Sequence, residues 1–265
     1  MMRLAVYQMQ AAVADIDRNL EKIEDAARAA AGNNADLLVT PELSLSGYGA
    51  GDQMKSLAMT ADGAALKALQ RISSAYDIAL IAGFPELSGN KVYNSAAFVD
   101  GQKEPIIYRK SHLYGGYEKS LFTAEEPKTV KAVLNGIVIG MLICYDVEFP
   151  ENVRRLAMAG VELVLVPTAL PAGDYSSFIA RNLVPTRAFE NQVTLAYANH
   201  SGNDGAFEYQ GQSVIVGADG TLLAEGAQHD EALLYAEVDP AQYEGSKEQN
   251  SYLADLESVS SKRHP

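Results

Sequence analysis

Ile137 to Ile143 is a short run rich in isoleucine, valine and leucine, set off by glycine, and it breaks at Cys144 into an acidic turn. Such a run suits a strand buried on both faces. Pro150 then stands where a first helical residue is favoured, Glu151 suits the positive end of a helix dipole, and a helical pattern continues to Ala159. Strand, sharp turn and helix in succession point to a sheet with helices layered outside it. The same geometry holds a side chain out at a sheet edge. The N-terminus of the following helix is expected to favour the thiolate of Cys144 over its thiol. Taken by itself, a single cysteine also reads as a small buried apolar residue.

The rest of the chain supports the same architecture. Leu4 to Met9 reads as a strand, and Asp17 as the cap of a helix with Leu20, Ile23, Ala27 and Ala30 at helical spacing. Asp36 to Thr40 is a strand that runs into Pro41-Glu42. A helix from Asp62 to Tyr76 precedes a strand at Ile78 to Ala82, and Gly89-Asn90 turns a hairpin into Lys91 to Val99. Pro105 to Tyr108 is a strand ending in Arg109-Lys110, and Glu162 to Val166 is a strand that stops at Pro167. Asp174 to Asn191 is helical in pattern with a break at Pro185. Strands follow at Val193 to Ala198, Gln212 to Val216, Leu222 to Ala224 and Ala232 to Val238. No internal repeat shows in the residues. The expectation is one α/β domain over residues 1–240, followed by a polar stretch, 241–265, that is a loose tail or an arm on a partner subunit.

Composition narrows the partners. The balance of 21 basic against 34 acidic residues, a net charge of −13, argues against nucleic acid and anionic membranes. No apolar run approaches a membrane span, and the opening MMRLAVYQMQ lacks a signal-peptide layout. One cysteine excludes internal disulfides and makes a reducing, cytoplasmic setting the simplest expectation. The four histidines are scattered away from Cys144, so no metal is expected, and nothing calls for a cofactor.

Glu42, Lys110 and Cys144 each fall at or just past the C-terminal end of a strand, where α/β folds place their chemistry. Alone, Glu42 reads as a solvated loop acid and Lys110 as surface charge. Together the three supply what attack on an unreactive carbonyl or nitrile needs. A thiolate attacks, a carboxylate takes the thiol proton and returns it to a leaving amine, and an ammonium with a backbone N–H holds the oxyanion.

At these residues the chain resembles the nitrilase superfamily, the carbon–nitrogen hydrolases, whose pattern is Glu–Lys–Cys in that order. The segments are PELSLSGY around Glu42, YRKSHLYGGYEKSLF around Lys110 and GMLICYDVEFPE around Cys144. RAFENQVTLAYANHSG (187–202) and GQSVIVGADGTLLAE (211–225) match later blocks, so the likeness runs from Leu4 to about Asp239. The resemblance implies a four-layer α-β-β-α sandwich with mixed sheets, packed into a homodimer or a larger homo-oligomer. It implies an acyl-enzyme thioester on Cys144, with Glu42 as base and with Lys110 and the Tyr145 N–H as oxyanion hole. Glu118 matches a second glutamate that orients base and substrate, though by itself it reads equally as a surface acid.

Cys-Tyr-Asp followed by Phe-Pro-Glu favours the amidase branch, hence a small aliphatic amide as substrate and ammonia as product. Tyr48, Phe149, Ala169 and Leu170 fall in segments that line the acyl pocket in this family, although Tyr48 and Phe149 also read as core aromatics. Arg187 and Glu190 look like a structural ion pair. The rivals are a nitrilase, an N-carbamoyl hydrolase, an ω-amidase and a scaffold without turnover. An ω-amidase needs a cation for its substrate's distal carboxylate, with Arg109, Lys119 and Arg181 as candidates. A redox-sensing cysteine would leave Glu42 and Lys110 unexplained.

Overall fold

The structure, a computed structural model, describes residues 1–261. Its strands form two six-stranded mixed sheets. The first contains β1 (Met2–Gln8), β2 (Leu37–Val39), β3 (Ala79–Ser88), β4 (Lys91–Val99) and β5 (Ile106–Arg109). The second contains β6 (Lys131–Leu134), β7 (Ile137–Met141), β8 (Leu163–Pro167), β9 (Thr194–Ala198), β10 (Val214–Val216) and β11 (Leu222–Glu225). The last strand, β12 (Ala232–Val238), returns to the first sheet and pairs antiparallel with β1. The orders are β12-β1-β2-β3-β4-β5 and β11-β10-β9-β8-β7-β6.

The helices are α1 (Ile16–Gly32), α2 (Met54–Leu57), α3 (Ala64–Tyr76), α4 (Gly115–Leu121) and α5 (Pro150–Met158), then α6 (Ser176–Phe178), α7 (Val184–Asn191), α8 (Glu244–Gln249) and α9 (Tyr252–Ser261). Side-chain alternation along the strands decides the layers. Leu4, Val6, Leu37, Val39, Ala79 and Ile81 face the second sheet in the main core. Their neighbours Ala5, Leu38, Leu80 and Ala82 face the other way, against Ile23, Ala27 and Ala30 of α1 and Leu66, Leu69 and Ile72 of α3. On the second sheet Leu163 to Val166 are all buried, since one face meets the first sheet and the other meets Leu156 of α5 and Val184 and Ala188 of α7. The result is the expected α-β-β-α sandwich.

The two sheets share one pattern. In each, three parallel strands (β1-β2-β3 and β7-β8-β9) are joined through helices and followed by two antiparallel strands. Topology repeats where residue identities do not, because a layer dictates only which positions are apolar.

Several boundaries differ from the sequence reading. The α1 cap is Asp15, whose side chain accepts from the Arg18 N–H at 3.0 Å, in place of Asp17. Helix α3 starts at Ala64, and β7 ends at Met141. Strand β3 runs on through Gly83 and Pro85, because beyond Ile81 its only strand partner is β4, with an isolated bridge from Met59 on the other side, and a missing proline N–H costs little there. The break at Pro185 is a π turn over Ile179–Leu183, which absorbs the absent N–H before α7 resumes. The segment after Pro240 is helical and folds back on α7. Tyr252 meets Phe189 at 5.7 Å between ring centroids, and Gln192 Nε2 donates to the Asn250 carbonyl at 2.7 Å. Residues 262–265 of the expected tail lie outside the described residues.

Candidate active site

Three strand ends meet at one edge of the sandwich. After β2 the chain enters a tight turn in which Leu43 adopts a left-handed φ of 51°. The turn is pinned to β3. Thr40 Oγ1 donates to the Ile81 carbonyl at 2.9 Å, and the Gly83 N–H donates to Ser44 Oγ at 3.1 Å. A Cβ on Gly83 would lie 2.3 Å from the Leu43 nitrogen, so only glycine lets the turn sit this close. His200 Nε2 reaches the Glu42 carbonyl at 2.7 Å and its Nδ1 lies 3.1 Å from the Met9 carbonyl, so this buried ring clamps the base of the turn. The Glu42 side chain is thereby turned inward and is fully buried.

Lys110 follows β5 and is also buried, its N–H bound to the Asn94 carbonyl at 2.8 Å. Its Nζ donates to Glu42 Oε1 and to Glu118 Oε1, each at 2.7 Å. Asn94 Nδ2 donates to the same Glu42 oxygen at 2.6 Å. Glu42 Oε2, in contrast, is buried with no hydrogen-bond partner among the described residues. Glu118, on α4, is fixed by the Tyr48 hydroxyl at 2.9 Å and by the Tyr114 N–H, which donates to Oε2 at 2.9 Å.

Cys144 opens a 3-10 turn, Cys144–Glu148, with a φ of 43° that few non-glycine residues adopt. Tyr145 is the second residue of that turn, where an N–H lacks an intrahelical acceptor. The turn is held from two sides. The Asp146 carboxylate accepts from the Tyr108 hydroxyl (2.9 Å), Ser111 Oγ (2.8 Å), the His112 N–H (2.8 Å) and the Ile143 N–H (3.2 Å). Arg187 donates to the Val147 and Glu148 carbonyls at 3.1 and 2.8 Å, and to Glu190 at 2.9 Å. Arg187 and Glu190 form the expected ion pair at 2.9 Å, and Arg187 braces the turn that carries Cys144.

Electrostatics sets the resting protonation state. Burial pushes the Glu42 carboxyl up to about 7, opposed by Lys110 and reinforced by Glu118. Burial also works to discharge Lys110, but Glu42, Glu118 and Cys144 together outweigh it and hold the ammonium well above the ordinary lysine range. The Cys144 thiol is pushed well up by burial and by Glu42, against the pull of Lys110. This corrects the expectation of a ready thiolate. Helix α5 begins only at Pro150, and the sulfur sits buried among carboxylates, so the thiol is the resting form.

Cys144 lines a cavity of about 410 Å³ together with Tyr48, Glu118, Tyr145, Ala169 and Leu170. Asn199 holds one wall, its Oδ1 accepting from the Leu170 N–H at 2.8 Å. Phe149 is absent from the lining. As the N-cap of α5 it turns aside and stacks on His112, with ring centroids 4.0 Å apart. The cation candidates are also elsewhere. Arg109 pairs with Glu86 at 2.6 Å and lies over the Tyr93 ring, Arg181 pairs with Glu225, and Lys119 is exposed on α4 and lines no part of the cavity.

Sequence reading missed Asn94, His200 and the wall from Pro171 to Ile179. The pair Asn94-Ser95 inside the buried, otherwise apolar part of β4 from Tyr93 to Val99 was the available signal for the first, since a polar side chain in a buried strand needs a partner. The Pro171–Ile179 wall carries no pattern that separates it from any loop.

Among the described residues no helix is long and apolar enough to cross a membrane, and no group of three or more His, Cys, Asp or Glu side chains could hold a metal ion. The carbon–nitrogen hydrolase family profile matches residues 3–248. A hydrolase encoded in the pqqF 5′ region of Pseudomonas protegens is 41% identical over 259 residues, covering 96% of this chain and 88% of the relative. The amidase NitN from Nesterenkonia sp. AN1 superposes with a TM-score of 0.85 at 37% identity, covering 96% of each chain. A mutant of that amidase carries the acetamide moiety of fluoroacetamide covalently at its active-site cysteine (TM-score 0.85, 35% identity, 99% of this chain and 96% of the other). With this fold and this extent of likeness to amidases of the nitrilase superfamily, the chain belongs to the carbon–nitrogen hydrolase family and is a hydrolase of C–N bonds.

Proposed function

We propose that this chain hydrolyses small aliphatic carboxamides to a carboxylate and ammonia through a thioester on Cys144. The observation that carries the reading is the division of labour within Glu42. One carboxylate oxygen is committed to Lys110 and Asn94, while the other is buried and unpartnered. A basic lone pair kept dry beside a buried thiol is what a general base needs. The likeness to an amidase whose cysteine accepts an acetamide moiety supports the same nucleophile.

In this mechanism Glu42 Oε2 takes the thiol proton as the sulfur attacks the amide carbon. The oxyanion is held by Lys110 and the Tyr145 N–H, preorganised donors whose individual removal costs about 3 kcal/mol in the barrier. Protonated Glu42 then gives its proton to the departing nitrogen, which leaves as ammonia. Water adds to the thioester with Glu42 again taking a proton, and the acid departs as the thiol is restored. Glu118 acts by orienting Lys110, and Tyr48 by orienting Glu118. Ala169 and Leu170 wall the acyl group.

A cytoplasmic setting suits a nucleophile that is the sole thiol of the chain. The proposed homodimer has apolar surface to use in the exposed Met158 and Phe178 on the second-sheet side, and light scattering tests it. The deciding experiment is ammonia release from a panel of carboxamides, nitriles and carbamoyl amino acids, with Cys144→Ala as blank. Release from acetamide through butyramide, and none from the blank, is expected. Turnover of nitriles or carbamoyl amino acids alone overturns the amidase assignment, and a fully active Cys144→Ala protein overturns the mechanism.

A further inference from the structure

Within the cavity that holds Cys144, the charge of the walls is one-sided. Glu148 lines it from the last position of the nucleophile's turn, and Asp174 lines it where it opens to solvent. Among the described residues, the half-buried Glu148 carboxylate makes no hydrogen bond or ion pair, and Lys110 and Arg187 act on it only through longer-range attraction. Arg187 is near, but the hydrogen bonds it makes go to two backbone carbonyls and Glu190. No Lys, Arg or His side chain is among the described residues that line this space, and Lys110 is already bound by two glutamates.

The remaining walls are aromatic. Tyr114 and Tyr145 pack edge to face with ring centroids 5.2 Å apart, and Tyr175 is 78% exposed at the rim. Aromatic faces beside unpaired carboxylates form a surface that attracts cations and repels anions.

We infer that this site selects carboxamides whose acyl chain carries an ammonium group, and that Glu148 is the specificity-determining residue that receives it. The inference rests on the amidase reading and adds the substrate's charge to it. It also separates the chain from amidases of anionic amides, which need the opposite sign in the same place. Burial raises the pKa of Glu148 while Lys110 and Arg187 oppose it, so a bound cation would further favour its ionised form. A hydrogen bond to a charged group is strong enough to discriminate roughly tenfold to a hundredfold.

The test compares three amides of similar length: 4-aminobutanamide (cationic), pentanamide (neutral) and succinamate (anionic). The first readout is kcat/KM in the unaltered enzyme, with the order cationic, neutral, anionic expected. In Glu148→Gln the cationic-to-neutral ratio should fall at least tenfold, mainly through KM, and Glu148→Asp should restore part of it. Equal rates, a preference for succinamate, or an unchanged ratio in Glu148→Gln overturns the inference. The second readout is calorimetric binding of the same amides to the Cys144→Ala protein. If no amide is turned over, the proposed reaction fails, yet the binding order still decides the charge preference. Should Glu148→Gln not fold, the order of the three ligands on the unaltered site decides alone.

Discussion

The Tyr108 hydroxyl donates to Asp146 Oδ2 at 2.9 Å, so the residue two before Lys110 is tied to the residue two after Cys144. Ser111 and His112 bind the other oxygen of the same carboxylate. The ammonium and the sulfur come from different sheets, and this one buried acid sets their separation. Their register is a property of Asp146 more than of either reacting residue.

Asp146→Ala is therefore expected to strand four donors, two of them buried and two partly buried. At 1–3 kcal/mol for each unsatisfied group, partly relieved by water, the cost is about 3 kcal/mol, or roughly 6–12 °C in Tm for a chain of this size. Calorimetry gives the stability, and ammonia release should fall by more than tenfold at temperatures where the variant is still folded.

The pH profile should carry a single limb near neutrality. As the proposed base, Glu42 must be ionised, and burial raises its carboxyl to about 7, so kcat/KM should fall as pH drops below that value. Lys110 is held charged well above the ordinary lysine range, so the plateau should persist to about pH 10. Glu42→Gln should lower the rate by about 10²–10⁴-fold and abolish the limb. A rate that keeps climbing through the range where free lysines discharge contradicts these roles.

Gly83→Ala should act on catalysis from outside the cavity. The added methyl would sit 2.3 Å from the Leu43 nitrogen and 2.7 Å from the Pro41 carbonyl oxygen, forcing the Glu42 turn away from β3. Misplacing a base by about 1 Å can cost roughly 100-fold. The expected signature is a large loss of kcat with little change in KM.

Arg187→Ala removes two bonds to the carbonyls of the nucleophile's turn. Slower alkylation of Cys144 by iodoacetamide and a tenfold or larger fall in kcat are expected. Arg187→Lys should recover less than half of the loss, since an ammonium cannot reproduce the guanidinium fork. An unaltered alkylation rate would show that the bracing is irrelevant to the sulfur.

The parts legible from the amino acids were those written in periodicity and punctuation. Strand alternation, the proline at the start of α5 and the strand-end positions of Glu42, Lys110 and Cys144 all act over a few residues, and the structure brings those three side chains into one region. What stayed hidden depends on contacts between distant segments. His200 meets Glu42 from 158 positions away, and Asn94 meets it from 52. Phe149 misled because adjacency to the nucleophile does not fix a ring's direction, and here His112 takes its face. The thiol's protonation likewise depends on how deeply three charges are enclosed, which no local pattern encodes.

The two sheets repeat one topology, yet the groups proposed to react are divided between them, with Glu42 and Lys110 following strands of the first and Cys144 following a strand of the second. On the proposed mechanism neither half can work alone, and the chemistry sits on a seam. A slight parting of the layers would separate acid from sulfur while every hydrogen bond within each sheet survived. Under mild denaturant, turnover should therefore vanish before the far-ultraviolet dichroism changes, so that the enzyme reports on its own interlayer gap.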